Sequence, residues 1–474
     1  MTELERALTV RVGELEKLVE QLQATLAEQK ALIETLQARL GQNSRNSSKP
    51  PSSDGPKAPK RLVKQSIGKK RGAQPGHPGH HRTLLPEAEV DAVIDQRPTQ
   101  CPHCQLSLPP DLPDALPPQR HQVSSLPLAK PIVKEYRTHS VVCPNCRVTV
   151  KATDQAPKNS FDGNTTALVA LLHGRYRLGY REVASFLAAG FGLTISLGQT
   201  AELCHQASEA LDQNHQQTVA ELRVEPAVNV DETTWKQAGE KRWAWVATGK
   251  QSTIFLIGPS RRGETVDKLL GVGYSGMELA FHPGIITSDR FSGYYRIPLE
   301  RRQICWAHLK RDFQALSERS GKAGELGKEL LEATGEVFVA WKKFQQGEVD
   351  RVELQAELDP VRDKMQELLE VGKASPPTYE QFRDFLKVFP AFWRFSEVEG
   401  IEPTNNAAER ALRPLVIWRK TCYGAFSDWG NHFVERLQSL AATCRQRGEA
   451  LLPTLARAIE AAMPTPTQTL PRTA

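Results

Sequence analysis

Apolar residues recur every seven positions through the first forty residues. Val12, Val19, Leu26, Ile33 and Leu40 form one series, and Leu8, Leu15, Leu22, Gln29 and Leu36 form a second, offset by three. This is the a/d seam of a coiled coil, and branched residues at most a positions with Leu at d favour two parallel strands. Gln29 interrupts the seam, where it fixes register at some cost in stability. An amphipathic helix packed on its own chain gives a similar pattern, but nearly five heptads running straight into a linker favour a zipper over residues 1–41. From Thr165 to about Arg223 the period is again helical. Arg181–Ala189 predicts a short helix, Gly190–Gly192 a turn, and Ser196 the start of a second helix. That outline, spanning 160–223, fits a helix-turn-helix with Gln199, Thr200 and Glu202 near the start of its second helix, and fits plain helical packing equally well.

Beyond residue 225 the pattern changes to short apolar or alternating runs. Ala227–Val230, Arg242–Gly249, Ser252–Ile257 and Gly284–Ser288 predict strands, and Glu264–Leu270 predicts a crossover helix. Ile304–Trp306 predicts a further strand leading into a helix at His308–Leu316. Residues 311–400 return to a helical period and carry Phe382, Phe385, Phe389, Phe392, Trp393 and Phe395, an aromatic cluster of core type. The expected fold is therefore mixed α/β, with a first part of the core at 225–310, a helical insertion at 311–400 and a final part at 401–463, ahead of a disordered tail at 464–474.

With 474 residues, the chain exceeds what one hydrophobic core usually supports. Its formal charge of +6 is mild, but basic residues are concentrated. Ten Lys or Arg face one acid, Asp54, between Arg45 and Arg82, in a stretch rich in Ser, Pro and Gly. Residues 42–95, with Lys69, Lys70 and Arg71 at the centre, read as a flexible arm that gains affinity for DNA by releasing counterions; a solubilising linker has the same composition. Cysteine usage points to metal. Cys101-Pro-His-Cys104 and Cys143-Pro-Asn-Cys146 are separated by 38 residues with seven prolines. Four thiolates on two tight turns suit tetrahedral structural zinc, so 96–155 reads as a zinc-ribbon-like module. The other four cysteines are scattered and read as buried residues in a reducing compartment. No signal peptide or membrane-length apolar run is recognised.

Three acids carry the candidate chemistry. Asp231 follows the apolar run in AVNVDETTW, Asp289 follows another in GIITSDRFSGY, and Glu409 lies in the Ala- and Arg-rich PTNNAAERALR, with N-cap chemistry at Thr404 and Asn405. Two aspartates at strand ends facing a helix-borne glutamate can hold a pair of hard divalent ions, which activate an attacking oxygen and stabilise a leaving one. The strings VDETTW, SDRFSGY, CWAHLKRDF and TNNAAERALRPLVIWRKTCYGAF, with QNSRNSSKPPSSD and GAQPGHPGHHR upstream, resemble blocks of the insertion sequence 66 family of DDE transposases, in the family's order from about Gln42 to about Leu452.

The resemblance places Asp231, Asp289 and Glu409 on the family's catalytic triad, with no departure at the three positions. It implies a ribonuclease H-like core, two Mg2+ ions (Mn2+ substituting), and cleavage of transposon ends followed by joining to target DNA. It also implies a bacterial cytoplasmic, nucleoid-associated protein with accessory proteins among its candidate partners; the N-terminal coiled coil implies a homodimer or higher oligomer. His308, Lys310, Arg410, Arg413, Arg419 and Lys420 are the candidate DNA contacts around the triad; a structural role for His308 and solvation of the arginines are equally compatible with their spacing. A hydrolytic nuclease or resolvase, and a catalytically inactive zinc-containing DNA-binding regulator, are the alternative functions.

Overall fold

In the computed structural model, residues 3–43, 45–47, 83–126, 130–152, 157, 159–271, 273–275, 278–280, 282–374 and 378–463 are described. Lys69, Lys70 and Arg71, most of the basic arm and the tail at 464–474 lie outside them. The chain divides into two compact units, Pro59–Pro131 and the remainder. In the smaller unit, Cys101–Cys104 forms a tight knuckle: the Gln105 N–H donates to Cys101 O and the Cys101 N–H to Leu106 O, both at 2.9 Å.

The larger unit opens with α1 (Glu3–Leu40). Its seam is open to solvent, from 47% exposure at Leu36 to 88% at Leu40. A small antiparallel ribbon, β1 (Ser140–Val142) and β2 (Thr149–Lys151), carries the second knuckle between its strands. Four helices follow: α2 (Gly163–Gly174), α3 (Tyr180–Phe191), α4 (Leu197–Ala210) and α5 (Asp212–Leu222). The helix–turn–helix outline is where the pattern put it. α3 ends on Gly192 at φ +68°, a left-handed conformation that glycine adopts without Cβ strain, and Ser196 and Gln199 form a reciprocal capping box on α4. Of the three residues placed near the start of α4, Thr200 is buried, Gln199 is committed to that cap, and exposed Glu202 accepts from Gln206 at 3.0 Å.

The sheet is built from β3 (Ala227–Gln237), β4 (Glu240–Thr248) and β5 (Thr253–Gly258), followed by α6 (Gly263–Leu270), a small ribbon of β6 (Gly273–Ser275) and β7 (Glu278–Ala280), then β8 (Ile285–Ser288) and β9 (Arg302–Ile304). Strand order is β5-β4-β3-β8-β9, antiparallel through β5-β4-β3 and parallel through β3-β8-β9. Successive β4 residues face opposite cores. Ala244 and Val246 join a cluster with Trp235, Phe255, Leu412, Leu415 and Leu437, whereas Trp245 and Ala247 join one with Val228, Val230, Leu269 and Tyr294. Covering both faces explains why β4 reads as a continuous apolar run.

Two expectations are corrected. Asp231 is not at a strand end: β3 runs six residues beyond it, because Thr233, Thr234 and Trp235 continue the ladder with β4. The run at Ile304–Trp306 is strand only as far as Ile304; Trp306 already belongs to α7 (Trp306–Ser317), where its ring packs at 5.2 Å from Trp393. The β6–β7 ribbon was not anticipated.

α7 leads into α8 (Gly321–Gln345), α9 (Arg351–Lys373), α10 (Tyr379–Val388) and α11 (Arg394–Glu397). Phe382, Phe385, Phe389, Phe392, Trp393 and Phe395 are all core here, as their spacing predicts. The chain then returns to the sheet with α12 (Asn406–Thr421), α13 (Asp428–Arg447) and α14 (Leu451–Ala462). α13 closes the free edge of β5. Thr443 Oγ1 and Ser439 Oγ accept the Thr253 and Phe255 N–H groups at 3.1 and 3.0 Å, and Glu435 accepts that of Ile257. Four helical residues rise about 6 Å and two strand residues about 6.6 Å, so an i+4 polar stripe matches every second strand N–H. The edge is thereby removed as a site for stray pairing.

Candidate active site

The register of the parallel strands brings the two aspartates level. Val228 pairs with Ile286 and Asn229 with Thr287, so continuing by two residues sets Asp231 alongside Asp289, which directly follows β8. Period-two alternation puts Asn229, Asp231 and Thr233 on the face of β3 that α12 covers. Asn405 pins that helix to the strand. Fully buried, it donates from Nδ2 to Val230 O at 2.7 Å and accepts from Asn229 Nδ2 at 3.0 Å. Asn405 occupies the N-cap position but makes no side-chain cap bond, because these contacts use its amide. Glu409 stands one turn further along, in the first turn of α12, where the helix dipole favours its charge.

The three carboxylates are electrostatically close. Burial pushes the Asp231 carboxyl well above its usual range, and the charges of Glu232, Asp289 and Glu409 push it further; one bond, from the Glu232 N–H at 2.9 Å, opposes them. Asp289 Oδ1 accepts the Phe291 N–H at 2.9 Å, which shapes the loop after β8. Glu409 Oε1 lies 3.6 Å from Arg311 Nη2 and 4.0 Å from His308 Nε2. Burial depresses the His308 imidazole, with the charge of Asp289 opposing, and its Nδ1 has no hydrogen-bond partner among the described residues. Among the described residues, no group of three or more His, Cys, Asp or Glu is gathered as a metal-binding cluster.

Several supporting residues escaped the sequence reading. Glu232 faces away from Asp231 into the opposite core, its side chain only 1% exposed. Tyr294 donates its hydroxyl to it, and Arg261 donates from Nε at 2.7 Å while stacking 3.9 Å over the Phe291 ring. Burial, then the charge of Asp289, raises the Glu232 carboxyl. Arg302, wholly buried on β9, donates to Asp289 O at 3.0 Å and to Ser288 Oγ at 3.3 Å. Burial lowers its guanidinium to about 10. It fixes the backbone of Asp289, one of the three candidate carboxylates. A basic residue inside a three-residue buried strand was the available signal for it.

The remaining candidates divide by exposure. Lys310, Arg410, Arg413 and Lys420 are exposed, with Lys310 lying 5.9 Å from the Phe338 ring. Arg419 is half-buried and turned inward, donating from Nη1 to Thr234 O at 2.5 Å and to Thr233 Oγ1 at 3.2 Å.

Each cysteine knuckle has the same turn. The residues after them, Gln105 and Arg147, have φ of +61° and +60°. Backbone N–H groups hold Cys101 and Cys143 below the usual thiol range: those of Cys104 and then His103 for the first, and of Cys146 and then Asn145 for the second. The two knuckles belong to different units.

The fold is thus a mixed α/β sheet with Asp231 and Asp289 level at adjacent central strands and Glu409 on the helix that returns over them. Residues 158–432, more than half of the chain, match the family described as "Transposase IS66 family", and the chain belongs to that family. Residues 4–83 match a family of unknown function (DUF6444). The chain is also similar to two uncharacterized proteins of Sinorhizobium fredii. It is 26% identical to y4qI over 229 residues, covering 44% of this chain and 41% of that protein. It is 26% identical to y4hP over 221 residues, covering 42% and 38%. The chain thus spans about two-fifths of the length of these relatives. Among the described residues, no helix is long and apolar enough to cross a membrane.

Proposed function

We propose that this transposase is a DDE enzyme of ribonuclease H-like fold that cleaves DNA at the ends of an insertion sequence and joins the freed 3′-hydroxyls to target DNA. The observation that supports this most is the environment of Asp231. A half-buried carboxylate feels the charges of Glu232, Asp289 and Glu409, and among the described residues no side-chain cation is bonded to it. Such a site fits divalent cations, because hard positive charge relieves the repulsion that now raises the carboxyl. Asp231, Asp289 and Glu409 would hold two Mg2+ ions, or Mn2+ in their place. Bound there, the ions supply activation of the attacking oxygen and stabilisation of the leaving one.

The chain's own residues orient the reaction. Asn405 sets α12 against β3, Arg302 holds the Asp289 backbone, and the Arg261–Glu232–Tyr294 cluster props the loop after Asp289. Water attacks the phosphodiester at the end of the element and the 3′-hydroxyl leaves. That hydroxyl then attacks a target phosphodiester, so each step exchanges one P–O bond for another without a side-chain nucleophile. The basic arm around Lys69, Lys70 and Arg71, with exposed Lys310, Arg410, Arg413 and Lys420, would bind phosphates, and His308 would sit beside the reacting group. Arg419 would support β3 beneath the DNA. The exposed α1 seam would pair two chains, and Cys101 with Cys104, and Cys143 with Cys146, would each supply a pair of thiolates to structural zinc. The helices from α7 to α11 would form the insertion splitting the core.

The test is a Mg2+-dependent cleavage and strand-joining assay on DNA carrying the element's own ends, with Asp289→Ala beside the wild type. Joined products that disappear in the variant are expected. Cleavage without joining would assign a nuclease or resolvase instead. Activity retained by Asp289→Ala would overturn the triad, and specific end binding with no metal-dependent product would favour a regulator.

A further inference from the structure

The hairpin between β3 and β4 sets like charges against each other. Lys236 and Lys241 are directly opposite in the ladder, both are exposed, and among the described residues neither is in an ion pair. Like charges in that position destabilise a hairpin unless an anion lies across them. With Thr234, Trp235, Gly239 and Arg419 they line a cleft of about 440 Å³.

The loop joining α12 to α13 is fastened beside this cleft. Ala425 N donates to Lys236 O at 3.0 Å, Ala238 N to Ala425 O at 2.9 Å, and Trp418 Nε1 to Gly424 O at 2.9 Å. Gly424, at φ +100°, comes so close that a Cβ would stand 2.1 Å from Lys236 O. Tyr423 adopts φ +62°, a left-handed conformation that strains a non-glycine residue. This rigid, strained backbone holds Tyr423 and Phe426 out into water, 76% and 86% exposed. Of the nearby acids, Glu240 pairs with Arg242 at 3.1 Å, and Asp428, which accepts from neutral Gln237 at 2.7 Å, keeps one negative charge against the positive charges of Lys236, Lys241 and Arg419.

We propose that this loop and cleft bind unpaired nucleotides of the DNA substrate, with bases stacked on Tyr423 and Phe426 and phosphates held by Lys236 and Lys241. Aromatic faces beside cations suit bases outside a duplex, because pairing hides the π-face that stacking needs. Lys236 lies five residues along β3 from Asp231, roughly 17 Å at 3.3 Å per residue, or about five nucleotide rises from the acidic cluster. The proposal rests on the transposase reading and adds a second contact region to it.

The test uses the full chain and a fluorescein-labelled duplex of the element's end, either fully paired or carrying a short mismatched bubble. By anisotropy, the wild type is expected to prefer the bubble by about tenfold, and Tyr423→Asn/Phe426→Ala to lose that preference while binding the paired duplex equally. Asn suits the left-handed backbone and both positions are exposed, so an unchanged melting temperature is expected. Lys236→Gln/Lys241→Gln weakens both forms and lowers the slope of log affinity against log salt by about two. A wild type without the bubble preference, or an aromatic variant that keeps it, overturns the proposal while leaving the transposase reading intact. So does a variant that changes only the oligomeric mass in light scattering, which would assign the loop to a protein contact. Failure of the wild type to bind either DNA would overturn both readings.

Discussion

Asn405→Ala probes whether α12, the helix that carries Glu409, is positioned by one buried amide. The substitution removes the 2.7 Å bond to Val230 O and the 3.0 Å bond from Asn229 Nδ2. Leaving a buried polar group without its partner costs about 1–3 kcal/mol. Asn229 keeps a longer contact to Thr404 O at 3.4 Å, which places the combined cost near the lower end. A loss of about 2–3 kcal/mol, at roughly 2–4 °C for each kcal/mol in a domain of this size, lowers Tm by about 5–10 °C. The effect on activity should be larger than stability alone gives. Val230 adjoins Asp231, and Glu409 is one turn from Asn405, so the bond sets the spacing of two carboxylates. A displacement near 1 Å costs on the order of 100-fold in rate. Differential scanning fluorimetry and end cleavage, run well below the variant's Tm, read the two effects separately. Asn405→Asp keeps the size and the acceptor but turns a carboxylate toward the Val230 carbonyl, and should be at least as damaging. A melting point within about 1 °C of wild type, with an unchanged cleavage rate, would refute the clamp.

Two further outcomes follow from charge and from the open seam. Burial and neighbouring carboxylates raise the folded-state pKa of Asp231 and Glu232, so the folded chain holds protons that the unfolded chain has released. In metal-free buffer their contribution to stability therefore falls as pH rises from the unfolded values, about 4, through the raised folded ones. Asp231→Asn should abolish cleavage yet melt higher than wild type, by on the order of 1 kcal/mol, with the gap widening toward alkaline pH. A pH-independent gap in paired melting curves would contradict this. Leu15→Glu/Leu22→Glu, placing charges in the α1 seam, should raise the self-association Kd at least ~100-fold, since each apolar side chain contributes about 1.5–3 kcal/mol when buried. Sedimentation showing the same mass for wild type and variant would rule the zipper out.

Local pattern sufficed wherever one period dominated. The heptads gave α1, the Gly190–Gly192 and Ser196 signals bounded α3 and α4, and the late aromatics were core because their spacing matched a helical face. Asp231, Asp289 and Glu409 were singled out in the sequence through motif resemblance more than periodicity. What tertiary structure decided were relations between segments far apart in the chain. The level alignment of Asp231 with Asp289 comes from the parallel register of β3 and β8, which no local pattern specifies. Asn405 looked like a helix cap and instead clamps α12 to β3, because a buried strand carbonyl and the Asn229 amide compete for its side chain. Nothing local marks Glu435, Ser439 and Thr443 as partners of a strand edge; the packing of α13 on β5 makes them so. Arg419 and Lys420 are neighbours of similar type, yet one is bonded to β3 and the other faces water. A residue's intrinsic preferences depend on its neighbours in sequence, whereas hydrogen-bond partners and desolvation depend on what the fold brings across from elsewhere.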